Sequence, residues 1–287
     1  MPGKVAEVEL VSVTRPVERL LITECLFCRG SGPFSTTEHI VPESLGNDTD
    51  ILHDSVCDGC QNYLSHSVEK PALEKTPFGF WRTYLGTLTK RNKLPEFVST
   101  APKSGRLPAV HPMTDTFKIA AEEDGSTSVE LAPALLGPVA SGERNSLRIV
   151  MSPWHLSILG RFLGKMGLEY VALTMAAEAM LPLFDPLRRY VRHGSVNSLW
   201  PIYYGQSGSL GELRTEECPA ETGEIEIESE CYRYSIGERI DGGYIFAFGI
   251  GTDLYAIDLT RNVPDSFVEK AISGCLLQCL HYGKGTF

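Results

Sequence analysis

The sequence contains no long uninterrupted apolar run. The longest, Val171 to Phe184, is broken by Glu178 and Pro182 and falls short of the ~20 residues that span a bilayer. The opening residues, Met1-Pro2-Gly3-Lys4-Val5-Ala6-Glu7, lack the apolar core of a secretory signal. These absences predict a cytoplasmic protein with no membrane partner, in a compartment where thiols stay reduced. Basic residues are in deficit. There are 26 Lys and Arg against 36 Asp and Glu, a formal net charge of −10. A protein that coats nucleic acid indiscriminately carries a basic surplus, so that class is disfavoured. Internal repeats and low-complexity tracts are also missing, which argues against a repeat architecture.

What is present is ordinary for a globular protein: 43% hydrophobic and 22% charged residues over 287 positions, enough for one large domain or two modest ones. The charge is unevenly spread. Nine basic residues stand against three acidic ones between Lys70 and Lys118, whereas Glu212 to Asp241 is dense in glutamate. That contrast suggests two functional halves.

The chain reads as α+β. Residues 5–22 alternate loosely, as a strand or covering segment. Gln61 to Leu73 has helical character, with Pro71 marking an end or a kink, and Pro77 to Leu94 suggests a further helix. Residues 95–145 read as loops and hairpins, with strands around 116–120 and 128–131. A strand over Ser146–Met151 precedes Ser152-Pro153, an N-cap followed by proline in the first helical position. The helix they open runs from Trp154 to about Met180, and a second covers Leu187 to Arg192, closed by Gly194. Strands are predicted at 199–204, 224–229, 232–236, 244–250 and 254–259. On this reading residues 20–76 form one domain, 77–145 a basic, loop-rich connection, and 146–287 a domain for target selection, regulation or partner binding.

The chemistry is concentrated near the N-terminus. Cys25-Leu26-Phe27-Cys28 and Cys57-Asp58-Gly59-Cys60 are two CxxC pairs. Each can place two thiolates on one metal from a tight turn, and two pairs close the tetrahedral shell that structural zinc (Zn2+) prefers. Redox or disulfide pairs are the alternative. The intervening segment is longer than the roughly 15–20 residues of common zinc ribbons, so something sits between the knuckles. It contains Glu38-His39-Ile40-Val41-Pro42-Glu43-Ser44-Leu45-Gly46-Asn47.

The combination of CxxC, EHIVPESLGN and CDGCQNYLSHSVEKPAL over residues 25–74 resembles the HNH endonucleases with a zinc-stabilised ββα-metal fold. The resemblance implies an enzyme that hydrolyses DNA phosphodiester bonds. His39 would activate water, a divalent ion would neutralise charge on the scissile phosphate, and the helix after the second CxxC would carry the last metal ligand. A role in restriction or anti-phage defence follows by resemblance alone. The residues suit that chemistry. Imidazole titrates near neutrality and can take a proton from water. A hard ion such as Mg2+ or Mn2+ needs oxygen ligands, which Glu38 and Asn62 can supply.

The sequence departs from the family pattern in two ways. The family places Asn directly after the last cysteine, whereas Gln61 stands here and Asn62 follows, so Gln61 is a reserve ligand. His66 lies i+4 from Asn62 on one helical face, the ligand spacing of the related colicin DNases, and is a further candidate. The family's middle Asn, which orients the loop before the second CxxC, has only Asn47 and His53 as approximate counterparts. Adjacent strand residues also face opposite ways. Glu38 and His39 therefore share a site only if the strand twists or bulges, or if Glu38 acts from the side.

Each candidate has a plainer reading: a structural histidine for His39, a solvated or salt-bridged carboxylate for Glu38, a helix-start hydrogen bond for Asn62, an exposed face for His66. Cys218, Cys231, Cys275 and Cys279 read as reduced packing residues. Arg161, Lys165 and Glu169 read as a solvated helical face, as do Arg188, Arg189, Arg192 and His193, with phosphate contact as the alternative. Lys70, Lys75, Arg82, Lys90 and Arg91 are the better candidates for gripping nucleic acid. Phe78, Phe80, Trp81 and Tyr84 beside them are either stacking platforms or core. Two further functions compete with a nuclease: a zinc-stapled binding module for nucleic acid or protein whose catalytic set has decayed, and an effector gated by a ligand or subunit on the C-terminal half.

Overall fold

The computed structural model describes residues 24–47, 49–88, 92–99, 115–145, 147, 149, 151–194, 199–206, 232–238, 242–263 and the backbone of 278–280. The strands expected at 5–22 and 224–229 lie outside these residues, as do Cys218, Cys231, Cys275, Lys90 and Arg91; of Cys279 only the backbone is described.

The N-terminal part is a short hairpin followed by an interrupted helix. Strands β1 (Glu38–His39) and β2 (Ile51–Leu52) pair antiparallel, with Glu38 opposite Leu52 and His39 opposite Ile51. Helix α1 (Asp58–Leu64) starts on Cys57, whose sulfur accepts the Cys60 N–H, and has Asp58 in its first turn, where a negative charge suits the helix dipole. The helix then widens into a π turn, Ser65–Glu69, in which the Lys70 N–H bonds the Ser65 carbonyl, and tightens again into α2 (Lys70–Lys75). Pro71 explains the widening. It has no N–H to donate, and its ring crowds the carbonyl one turn back. Helix α3 (Pro77–Tyr84) follows, with Thr76 as N-cap and Pro77 at its first position.

A three-stranded antiparallel sheet comes next, β3 (Glu96–Ser99), β4 (Phe117–Ala121) and β5 (Thr127–Leu131) in that order. Its small core of Phe97, Phe117 and Ile119 meets Phe80 of α3. Residues 133–140, read as loop, form helix α4 (Pro133–Ala140), with Pro133 in its first turn. The strand expected over 146–151 is not formed at its described residues, 147, 149 and 151.

Helix α5 (Pro153–Thr174) opens where expected, with Ser152 accepting the His155 N–H and the His155 ring bonding back to the Ser152 N–H. The run to Met180 is not one helix: α5 ends at Thr174, Met175 breaks the path, and α6 (Ala176–Ala179) follows. Helix α7 (Asp185–His193) ends at Gly194. The second sheet is antiparallel, in the order β10 (Gln278–Leu280), β6 (Ile202–Gln206), β9 (Asp253–Asp258), β8 (Tyr244–Ile250), β7 (Tyr232–Glu238). Gly251 makes the β8–β9 turn at φ 56°, and a Cβ there would lie 2.2 Å from the Trp81 ring, so both backbone and packing demand glycine.

Helix α5 is the axis of the molecule. It packs on one side against β2, the π turn and α2, and on another against β7, β8 and β9. Every residue from Leu156 to Glu169 is buried. This corrects the solvated face assigned to Arg161, Lys165 and Glu169: they are 6%, 0% and 0% exposed. A helix covered on opposite sides leaves no wet face for its charges. Arg188 is corrected in the same way, being buried and bonded to the Leu26 carbonyl at 2.7 Å, while Arg189 and His193 are exposed. One continuous core runs from Cys25 through α5 to Leu259, so the N-terminal segment and the C-terminal sheet share it. Phe78 and Trp81 belong to that core and are not stacking platforms, with Phe80 and Tyr84 packed partly buried against it. Among the described residues, no helix is long and apolar enough to cross a membrane.

Candidate functional site

The four cysteines come together as their spacing predicts. Their sulfurs all lie within 4.8 Å of one another. Backbone amides turn toward them: Gly30 N–H donates to Cys28 Sγ, Cys57 N–H to Cys25 Sγ and Cys60 N–H to Cys57 Sγ, each at 3.4 Å. Such donors favour thiolates over thiols. A hydrogen bond from Cys60 draws the Cys25 thiol down to about 4, and the same contact pushes Cys60 up. The chemistry of this donor set fits zinc. The cluster is anchored from α7 by Arg188, which also donates to the carbonyls of Ala179 and Leu181 and pairs with Asp185 at 2.7 Å. Burial and the nearby Arg29 lower Arg188 to about 10, still far above neutrality, so it remains charged.

Beside the cluster is an open cleft of about 490 Å³. Its lining includes Glu38, His39, Gln61, Asn62, His66 and Glu69. The hairpin supplies the first two and one face of the α1–π-turn helix supplies the rest. The difficulty of adjacent strand residues is resolved by the shortness of β1: Glu38 is buried and His39 half-buried, yet both border the cleft.

His39 is held by its loop. Asn47, 2% exposed, donates to the carbonyls of Val41 and Asp50 and accepts from the N–H groups of Thr49 and Asp50. It thereby closes the turn between β1 and β2. Tyr234 of β7 donates to Asp50 and ties this turn to the C-terminal sheet. The His39 Nε2 lies 3.4 Å from Glu43 Oε1. Its Nδ1 is buried with no hydrogen-bond partner among the described residues. Glu43 was quoted in the motif without a role; its placement four residues after His39, across Pro42, was the available signal.

On the facing helix, His66 Nδ1 lies 2.9 Å from the Asn62 carbonyl. A carbonyl only accepts, so Nδ1 carries the proton and Nε2 keeps its lone pair. Gln61 Nε2 donates to the Thr37 carbonyl. Asp58 fastens the cleft's rim by accepting from Ser35 and Thr36, and these bonds hold its carboxyl below the usual range.

Glu38 is not simply open to the cleft. Lys165 of α5, fully buried, places its Nζ 2.7 Å from Glu38 Oε1, 2.7 Å from Glu69 Oε1 and 2.8 Å from Glu169 Oε2. Burial alone would weaken the Lys165 ammonium, but Glu169, Glu38 and Glu69 outweigh it and hold its pKa well above normal. Burial raises Glu169 and Glu38, with Lys165 opposing in both cases. Glu38 Oε2 is buried and has no hydrogen-bond partner among the described residues. Sequence reasoning missed Lys165 and Glu69 because tertiary packing alone brings them to the site.

The family model of the HNH endonucleases matches residues 25–77. This HNH segment contains both CxxC pairs, the hairpin and the interrupted helix, and it supports a nuclease-type function. No curated protein and no solved structure matches the chain. Of the basic residues expected to grip nucleic acid, Lys70 and Lys75 are exposed on α2, while Arg82 is half-buried with its Nε enclosed and its charge weakened by burial.

Proposed function

We propose that the chain is a metal-dependent endonuclease that hydrolyses DNA phosphodiester bonds in the cleft, with zinc in the cysteine cluster as a structural staple. The observation that carries this reading is the state of His39 within a segment matched to the HNH endonucleases. Its Nδ1 has no hydrogen-bond partner among the described residues, and a carboxylate stands at its Nε2. An imidazole at the edge of the cleft can take a proton from water, and Glu43 beside Nε2 steadies the imidazolium that results.

The donors for a catalytic ion fit a hard cation. Glu38 Oε2 is an orphaned buried oxygen, and Asn62 and His66 border the same cleft. Such oxygen donors suit Mg2+ or Mn2+, which keep several waters and bind through one or two carboxylates and the substrate's phosphate. An ion held there would act as a Lewis acid on the scissile phosphate. Lys70 and Lys75 extend from the cleft helix and suit contact with the DNA backbone. A place in restriction or anti-phage defence is the biological setting we infer, by resemblance to HNH effectors.

A second reading, an effector gated through the C-terminal half, is favoured by one observation: α5, outside the HNH segment, pairs its buried Lys165 with Glu38 and Glu69, two carboxylates that line the cleft. The test is incubation with supercoiled plasmid, single-stranded DNA and RNA under Mg2+, Mn2+ or EDTA. Divalent-dependent nicking of plasmid supports the proposal. Cleavage of RNA alone overturns the substrate, and cleavage that persists in EDTA overturns the mechanism.

A further inference from the structure

The buried cluster beneath the cleft has a composition that packing alone does not explain. One ammonium faces three carboxylates drawn from three elements: Glu38 from β1, Glu69 from the π turn and Glu169 from α5 itself. A lysine has three N–H donors, and each carboxylate takes one. No donor of Lys165 is left for a substrate, so it is not a phosphate-binding lysine. Glu169, one turn along α5, steadies the ammonium from its own helix. The two remaining bonds fix one oxygen each of Glu38 and Glu69, the two carboxylates that border the cleft.

A carboxylate held by one oxygen turns its other oxygen in a set direction. For Glu38 that second oxygen is buried and has no hydrogen-bond partner among the described residues. A buried anionic oxygen without a partner is costly, and a cation in the cleft would remove the cost. The π turn contributes as well, because its wider winding sets where Glu69 falls relative to Asn62 and His66.

We propose that Lys165 is a positioning residue of the cleavage site: its buried ammonium clamps Oε1 of Glu38 and Oε1 of Glu69 and thereby presents Glu38 Oε2 to a divalent cation in the cleft. This rests on the metal-dependent reading above. It follows that the HNH segment is not self-sufficient, since α5 completes its metal site from the C-terminal half.

The test uses the full-length, zinc-loaded protein and Mn2+ alone as probe, with binding read from the electron paramagnetic resonance of free Mn2+. Three variants are compared with the wild type. Glu169→Gln keeps Lys165 on both cleft carboxylates. Lys165→Met with Glu169→Gln removes the clamp while leaving the cluster's formal charge unchanged. Glu38→Gln removes the charge presented to the ion. Wild type and Glu169→Gln are expected to bind one Mn2+ with similar affinity. The double variant is expected to bind at least about tenfold more weakly, the usual cost of losing a partner that orients a metal ligand. Glu38→Gln is expected to show a loss of similar size.

If Lys165 served only to balance charge, the double variant would recover both melting temperature and Mn2+ affinity, and that result overturns the proposal. Undiminished Mn2+ binding by Glu38→Gln overturns it too, even if the double variant does not fold, and so does a wild type that binds no Mn2+. Plasmid cleavage by the same samples separates the two ideas. Binding that follows this pattern without any cleavage removes the nuclease reading and leaves the clamp standing. Cleavage that survives in a double variant with normal Mn2+ affinity does the reverse.

Discussion

Asp253 joins α3, the helix that follows the HNH segment, to the C-terminal sheet, and replacing it tests how far that junction holds the fold together. Its carboxylate is 8% exposed. It accepts from Trp81 Nε1 at 2.8 Å, Tyr255 OH at 2.9 Å and Tyr204 OH at 3.0 Å. Burial and the nearby Asp253 carboxylate hold the Tyr255 hydroxyl well above its ordinary pKa, so it stays a donor. In Asp253→Ala, Trp81 Nε1–H and Tyr255 O–H are left buried without this acceptor. At about 1–3 kcal/mol for each such donor, the loss is roughly 2–6 kcal/mol, while half-buried Tyr204 can turn to water. That is a large fraction of a total stability of about 5–15 kcal/mol. Asp253→Asn can place its one amide oxygen where Oδ2 accepts from both Trp81 and Tyr255, and should lose well under half as much. Urea denaturation followed by circular dichroism measures both. The Ala variant should also show faster hydrogen exchange in α3, which Trp81 no longer fastens to the sheet. An Ala variant within about 0.5 kcal/mol of wild type would refute the reasoning, because surface substitutions cost no more than that. Equal losses in Ala and Asn would show that the charge matters and the acceptor count does not.

Three further outcomes are expected. Asn47→Ala removes four hydrogen bonds from a buried side chain and, at about 0.5–1.5 kcal/mol each, should destabilise by roughly 2–6 kcal/mol. Thermal melts measure this, and cleavage should fall because His39 is no longer fixed. Stripping zinc with a strong chelator removes a binding energy of about 10–16 kcal/mol in comparable sites, so limited proteolysis should then cut within residues 24–60 first; an unchanged digestion pattern would deny the staple. Burial lowers the His155 pKa in the folded protein, so its neutral form is favoured there. The stability it contributes is present above the unfolded histidine value of about 6.5 and is lost as pH falls through that value and the folded one. Acidification from pH 7.5 to 5 should therefore depress the melting temperature more in wild type than in His155→Gln.

The residues that line the cleft were more legible in the sequence than those that support them. Local spacing brings His39, Asn62 and His66 to one cleft, because a two-residue strand and a helix after the second CxxC need little tertiary information to face each other. Ser152-Pro153 marked the start of α5 because capping is a local interaction. Lys165 and Glu169 were misread because charges at helical spacing ordinarily mark a wet face. The contrary signal was the rest of α5, apolar all round and punctuated by Gly160, Gly164 and Gly167, as suits a helix packed on several sides. Glu69 depended on a π turn that Pro71 permits but periodicity does not announce. Met175 gave no sequence signal for the break after α5, where its ψ of 64° leaves the helical region.

The most direct test of the central claim is single-turnover cleavage of supercoiled plasmid by wild type and His39→Ala at saturating Mn2+, with zinc content and melting temperature measured on the same preparations. The account predicts loss of about 10²–10⁴-fold in rate, the worth of a general base, with zinc and fold retained. A His39→Ala protein that keeps its zinc and its melting temperature and cleaves as fast as wild type would contradict it.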